Sequence, residues 1–235
     1  GPAAAARRKE PLRDYRNTHA AAQLGVSAVA ALPGDRLSAA LMVKSHGTVS
    51  VDGKVSDADL TYLEEVANST GQEVDKSRLT SQACARTALI TDVGIALATE
   101  LETAGQKWSL GFPPKFQRVD LFNYNVLVRN YDSSAFKGDR YHNTKNGINA
   151  DIGASTDLDD NWTLGLVAQN LISRSIETKE VNGITESFWI RPQVTAGVSW
   201  HNAMFTTAFD VDLTPASGFT SDSNRQFAAI GAEFN

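Results

Sequence analysis

One cysteine, Cys84, stands in a chain of 235 residues. A lone thiol excludes an internal disulfide framework, and with no ligand cluster around it there is no cysteine-based metal centre. No run approaches the ~20 apolar residues of a spanning helix, although 42% of the chain is hydrophobic and its mean hydropathy is -0.26. That absence leaves β-barrels untouched, because their strands hide the apolar signal in alternation. Positive charge is not in excess either. The formal net charge of -5 offers no basic surface to nucleic acid. Catalytic signatures are missing as well: no Gly-rich loop opens a helix, and neither His-Glu-x-x-His nor Gly-x-Ser-x-Gly occurs. The sequence thus points to a non-enzymatic protein with no cofactor and no metal.

What is present is alternation. Gly147–Leu158 places Ile148, Ala150, Ile152, Ala154, Thr156 and Leu158 on one side. Gly147, Asn149, Asp151, Gly153, Ser155 and Asp157 take the other. Successive side chains of a strand point to opposite faces, so this is a strand with one apolar and one polar face. The polar side chains are all short. Short polar groups suit the crowded, wet inside of a small barrel whose apolar face meets lipid. A soluble sandwich with the apolar face inward shares the same period and is the alternative.

The pattern recurs along the chain. Leu24, Val26, Ala28 and Ala30 alternate with small residues before a turn at Leu32-Pro33-Gly34-Asp35. In Arg36–Val51, Leu37, Ala39, Leu41, Val43, Val49 and Val51 oppose Arg36, Ser38, Lys44, His46, Thr48 and Ser50. His46 has no partner at ligand spacing and reads as a solvated strand histidine. Asp52–Arg86 breaks the pattern: Ser56 and Asp57 can cap a helix, and Leu60, Leu63, Val66 and Ala67 fall at helical spacing. A helical insertion is expected at about residues 56–82, as a loop helix on the barrel rim. Alternation resumes in Thr87–Thr103, Lys107–Tyr131, Trp162–Gln169, Gln193–Trp200, Met204–Leu213 and Gln226–Phe234. Pro113-Pro114 interrupts Lys107–Tyr131, and proline cannot donate to a ladder, so the pair marks a bend, bulge or edge.

Loop lengths carry the next inference. Short turns fall at 32–35, 104–106, 159–161 and 201–203, and long excursions at 52–86, 132–145, 173–187 and 214–225. Short turns on one rim and long loops on the other are the asymmetry of an outer-membrane barrel. Trp108, Trp162, Trp189 and Trp200 lie near strand ends, where an aromatic girdle belongs. The expected fold is therefore all-β: an antiparallel up-and-down β-barrel of outer-membrane type with one helical loop insertion. It forms a single domain over 21–235, and its partner is the lipid bilayer. Nine strands can be counted, whereas single-chain bacterial barrels usually hold an even number. A fragment of a larger barrel, or an extra strand from Pro11–Ala20, accounts for the difference. Residues 1–20 read as a protease-trimmed scar (Gly1-Pro2, Ala3–Ala6) and a solvated basic segment bearing Arg7, Arg8, Lys9, Arg13 and Arg16. A scar there leaves room for a removed signal peptide.

Over Trp108–Asn235 the chain resembles the TraF-type conjugal transfer family of outer-membrane barrel-like proteins, relatives of the FadL-type hydrophobic-compound transporters. The resemblance rests on Gly111-Phe112-Pro113-Pro114-Lys115-Phe116-Gln117, Asn149–Ala154, Trp162–Leu171, Arg191–Val198, Asp210–Thr214 and Gln226–Glu233. It implies a Gram-negative outer-membrane location, a link to plasmid transfer, and other envelope or transfer-apparatus proteins as partners. It also implies further strands beyond a segment like Gln226–Glu233, and it supplies no mechanism. The function expected is conjugal transfer or passive transport of small compounds, hydrophobic ones among them. A soluble β-rich binding or interaction module is the competing class.

Two groups of residues are candidates for a site. Asp151, Asp210, Asp212 and Glu233 share the expected lumen face, with Lys115 and Gln117 opposite them. Buried charges need partners, so these six read as a polar network that plugs the interior and fixes register, or else as a polar lining for a solute path. Pro113 and Pro114 are the candidate gate, since a kinked strand opens a lateral door in FadL-type barrels.

Overall fold

The computed structural model describes residues 19–234 except 33, 35–36, 70–72, 104, 128–129, 131–137 and 221–224. The basic segment expected at 1–20 and a strand from Pro11 therefore lie almost wholly outside the described residues. Elsewhere the chain is mostly antiparallel β-sheet with one helix, as the alternation implies.

The strands are β1 (His19–Leu32), β2 (Leu37–Lys54), β3 (Gln82–Thr103), β4 (Gln106–Phe112) and β5 (Pro114–Leu127). They continue as β6 (His142–Ala150), β7 (Ile152–Asp157), β8 (Trp162–Gln169), β9 (Arg174–Glu177) and β10 (Ser187–Ile190). The last are β11 (Gln193–His201), β12 (Phe205–Asp212), β13 (Gly218–Phe219) and β14 (Ala228–Phe234). Eleven strands form one sheet in the order β1-β2-β3-β4-β7-β8-β11-β12-β14, with β5 pairing β3 and β6. Every pairing is antiparallel. The short connections between β1 and β2, β3 and β4, β7 and β8, and β11 and β12 fall where expected, and the longer connections join the strands at their other ends.

The sheet curls into a half-barrel that does not close. β1 pairs only β2, and β14 pairs only β12. Eight antiparallel steps separate these two edges along the path, so β1 and β14 run in the same direction. They cannot complete an antiparallel ladder with each other, so the all-β antiparallel fold is as expected and the barrel is not closed among the described residues.

The faces fall as the alternation predicts. Ile152, Leu164 and Phe209 point outward and are 51%, 40% and 45% exposed. Leu24, Val43, Val93, Phe116 and Ile230 are exposed on the same convex side. Trp162 pairs with Trp200 near the short-turn rim, and Phe205 stacks edge-on against Phe234 there. Further up the wall, Arg118, Asp120, His142 and Thr144 form an outward polar cluster. Arg118 Nε donates to Asp120 at 2.8 Å, and the Thr144 hydroxyl donates to Asp120 at 2.6 Å. Above Phe116 and Ile148, the apolar surface of β5 and β6 thus gives way to charge.

Two of the long excursions, 173–187 and 214–225, contribute strands of their own. β9, β10 and β13 form a separate three-stranded sheet that rests on the concave side of β3 and β5. Ile176, Phe188, Ile190 and Phe219 pack there against Ala88, Ile90, Val119 and Leu121, all nearly sealed from solvent. This is the main apolar core among the described residues. It accounts for Trp189, which belongs to the inner sheet and not to the outer wall that carries Trp108, Trp162 and Trp200. Arg86 ties the sheet to the wall, bridging Asp52 on β2 and Glu186 at 3.0 Å.

The insertion contains α1 (Asp57–Asn68). Leu60 and Val66 lie at helical spacing, but only Val66 of the expected apolar set is buried. What docks the helix is polar. Asp59 accepts from the backbone and hydroxyl groups of Thr80 and Ser81.

Candidate functional site: a polar bore

The site begins with a break in the wall. β4 and β5 lie end to end along the same edge of β3, Thr103↔Gln106 to Leu97↔Phe112 and then Gly94↔Lys115 to Gln82↔Leu127. The interruption is Pro113, which has no N–H to give a neighbouring strand. β6 and β7 break at the same level, at Asp151, whose N–H donates to the Pro113 carbonyl at 3.2 Å. Pro113 thus separates β4 from β5. β8 follows β7 but not β6. The seam beside β6 is closed by single bonds instead of a ladder: Leu171 N–H to Ala150 O at 2.9 Å, and Asn149 Nδ2 to Ile172 O at 3.1 Å.

Lys115 and Asp151 face the bore at this level. Lys115 Nζ lies 2.8 Å from Asp151 Oδ1 and 3.1 Å from Asp92 Oδ2. All three are buried. One ammonium shared between two carboxylates satisfies the rule that buried charge is paired. Asp151 Oδ1 also accepts from Asn170 N–H at 2.7 Å. Asn170 has φ 55, a left-handed conformation that asparagine tolerates, and it turns the chain out of β8.

Gln117, fully buried, extends the network. Its Nε2 donates to Asn170 Oδ1 at 3.1 Å, and its Oε1 accepts from Arg174 Nη2 at 2.8 Å. The Arg174 guanidinium lies against Gly147, where any Cβ would collide with it. Lys115, Gln117, Asp92, Asp151, Asn149 and Arg174 thus form a polar plane across the bore beneath the inner sheet.

The remaining candidates separate from it. Asp212 is buried in its own knot, accepting from Gln193 Nε2 at 2.9 Å and Thr195 Oγ1 at 2.7 Å. Asp210 is exposed and lies across Gly197. Glu233 is exposed on the edge strand β14. Toward the short-turn rim the bore opens into a groove of about 420 Å³ whose lining includes Ser109, Gly111, Gly153, Ser155, Gly165 and Asp210. So the six residues do not make one network: three join the plane, one forms a separate tie, and two face open space.

Sequence reasoning did not put Asp92, Asn149, Asn170 and Arg174 into the network. Asp92 and Asn149 sat on the polar face of their strands and were within reach of that argument. Arg174 lay in what read as a loop, and nothing local marked it.

A family model described as "F plasmid transfer operon, TraF, protein" matches residues 2–212. The chain belongs to this TraF family. Membership implies a role in conjugal transfer. The TraF match extends over the N-terminal half, beyond the Trp108–Asn235 stretch that carried the motifs, and stops short of Gln226–Glu233. It says nothing of a FadL-type relationship. No curated protein and no solved structure matches the chain.

Proposed function

We propose that this TraF-family protein is an outer-membrane β-barrel component of a conjugal transfer apparatus. The observation that carries the reading is the inversion of polarity. Isoleucine, leucine and phenylalanine cover the convex face, while a lysine, two aspartates and a buried glutamine cross the concave side next to the apolar core that the inner sheet makes with β3 and β5. A soluble domain of this size buries apolar groups and leaves few large apolar patches in water. In a bilayer the arrangement is the stable one, because lipid takes the apolar face and the bore retains its polar groups. No helix among the described residues is long and apolar enough to cross a membrane, so strands would do the crossing. Further strands joined to the free edges of β1 and β14 would complete the wall, since an unpaired edge in hydrocarbon leaves backbone groups unsatisfied.

Passive transport is a second reading with a narrower basis. The seam beside Pro113, Pro114 and β6 is the place where the wall lacks a continuous ladder, and it is the proposed gate. A bore crossed by Lys115, Asp92 and Asp151 suits polar solutes better than hydrophobic ones.

Two assays on one strain test the proposal. The full chain is expressed in a donor from which its gene has been removed, the envelope is separated into inner and outer membranes, and mating frequency is counted. The expected result is outer-membrane recovery with transfer restored. Recovery in the soluble fraction with transfer restored would overturn the location and keep the family role.

A further inference from the structure

Beside the polar plane, a cavity of about 340 Å³ lies within the curl of the sheet. Gln23, Lys44 and His46 line it from β1 and β2, Asp92 from β3, and Gln169 and Gln193 from β8 and β11. Phe188 of the inner sheet and Phe227 add apolar surface. His46 is thus not the freely solvated strand histidine that its sequence context suggests.

Two atoms here are out of balance. Asp92 is 2% exposed; its Oδ2 meets Lys115, but its Oδ1 is buried and makes no hydrogen bond. His46 Nδ1 is likewise buried without a partner. The two residues lie on the same face of adjacent strands, one pair apart in register: His46↔Ile90 and Lys44↔Asp92. A buried polar atom left unpaired costs roughly 1–3 kcal/mol. Unmet partners are usual where a ligand supplies them. The Gln23 and Gln169 amides also make no side-chain hydrogen bond among the described residues, and each presents both a donor and an acceptor.

The charge balance narrows the ligand. Lys115 is neutralised by Asp92 and Asp151, which leaves Lys44 as the cation of the lining with no ion pair among the described residues. Most of the remaining groups are neutral hydrogen-bonders. A carboxylate oxygen, an imidazole and several amides around two aromatic rings match vicinal hydroxyls above a carbon ring. We infer that this cavity binds a neutral, hydroxyl-rich solute of mono- or disaccharide size. The inference rests on the lining residues alone and not on where the protein resides.

The test uses maltose as the probe on the folded full chain. Phosphatidylcholine nanodiscs are used if the chain needs lipid and buffer if it does not; glycoside detergents are left out because their headgroups would compete. The expected result is a saturable rise in Tm with maltose up to about 50 mM, larger than that from arginine or citrate. His46→Leu removes a ring nitrogen that has no partner among the described residues without ligand. It is expected to leave the ligand-free Tm unchanged or raised, and to weaken maltose binding about tenfold. Gln23→Ala, on the exposed edge strand, is the second variant, with a several-fold loss and no effect on folding. No maltose-dependent shift, tighter binding of arginine or citrate, or unaltered maltose binding in both variants would each overturn the site.

Discussion

Leu166→Arg puts the direction of the apolar face under direct strain. Leu166 points outward from the middle of β8 and is 51% exposed. Trp162, four residues nearer the short turn, stands in the aromatic row beside Trp200. At ~3.3 Å per residue and a strand tilt of about 40°, four residues rise roughly 10 Å. That approaches the centre of an apolar band about 25 Å tall. Arginine at such a depth costs about 2–4 kcal/mol. If the face met water, the same change at a half-exposed site would alter stability by less than about 0.5 kcal/mol. The assay is urea titration of the full chain folded into phosphatidylcholine vesicles, followed by tryptophan fluorescence. Thr163→Arg, on the bore side near the rim and beside Asp157, serves as the control and is expected to cost less than half as much. A Leu166→Arg protein as stable as the parent, and monomeric without lipid or detergent, would refute the reasoning.

Other consequences are open to the same kind of measurement. Lys115→Met leaves Asp92 and Asp151 buried without a counter-charge and is expected to cost about 3–5 kcal/mol at neutral pH. Adding Asp92→Asn and Asp151→Asn to it should recover most of that loss in the urea midpoint. At Gly94 a Cβ would lie 2.5 Å from the Pro114 carbonyl oxygen, so Gly94→Val should cost about 1–3 kcal/mol and shift the same midpoint. Asp59 gives a pH signature. Burial pushes its carboxyl up, but the donors on Ser81 and Thr80 outweigh burial and hold it below the usual carboxylate value. Because the folded form binds its proton less readily, the docking of α1 is fully stabilised above about pH 4 and weakens as pH falls further. Cleavage at Lys76 and Arg78 by trypsin after a brief acid pulse should rise accordingly, and Asp59→Ala should show that cleavage at neutral pH.

The wall was legible in the sequence because its rule is local. A period of two assigns Ile152, Leu164 and Phe209 to one face without knowledge of their neighbours, and the turn residues between Asp157 and Trp162 set the next register. The interruption at Pro113 was legible for the same reason, since a missing N–H is a property of the residue itself. The inner sheet was not. β9 and β10 have four residues each and β13 has two, too short for a period to register among polar neighbours. Their pairing depends on contacts across the bore, such as Arg86 with Glu186. The polar network was half legible: shared parity put Lys115, Gln117 and Asp151 together, but the same parity also admitted Asp210 and Glu233, which the open curl of the sheet leaves facing space.

The most direct measurement labels the wall residue by residue. Single nitroxides at Ile152, Leu164, Phe209 and Ile230, and at Gly153, Ser155 and Thr163 on the other parity, are placed in the full chain reconstituted in vesicles. Their collision rates with oxygen and with a water-soluble nickel chelate are then compared. The first set should favour oxygen, as sites in hydrocarbon do, and the second set the nickel reagent. Equal nickel access for both sets, or a protein that never enters the vesicles, would contradict a bilayer-facing wall.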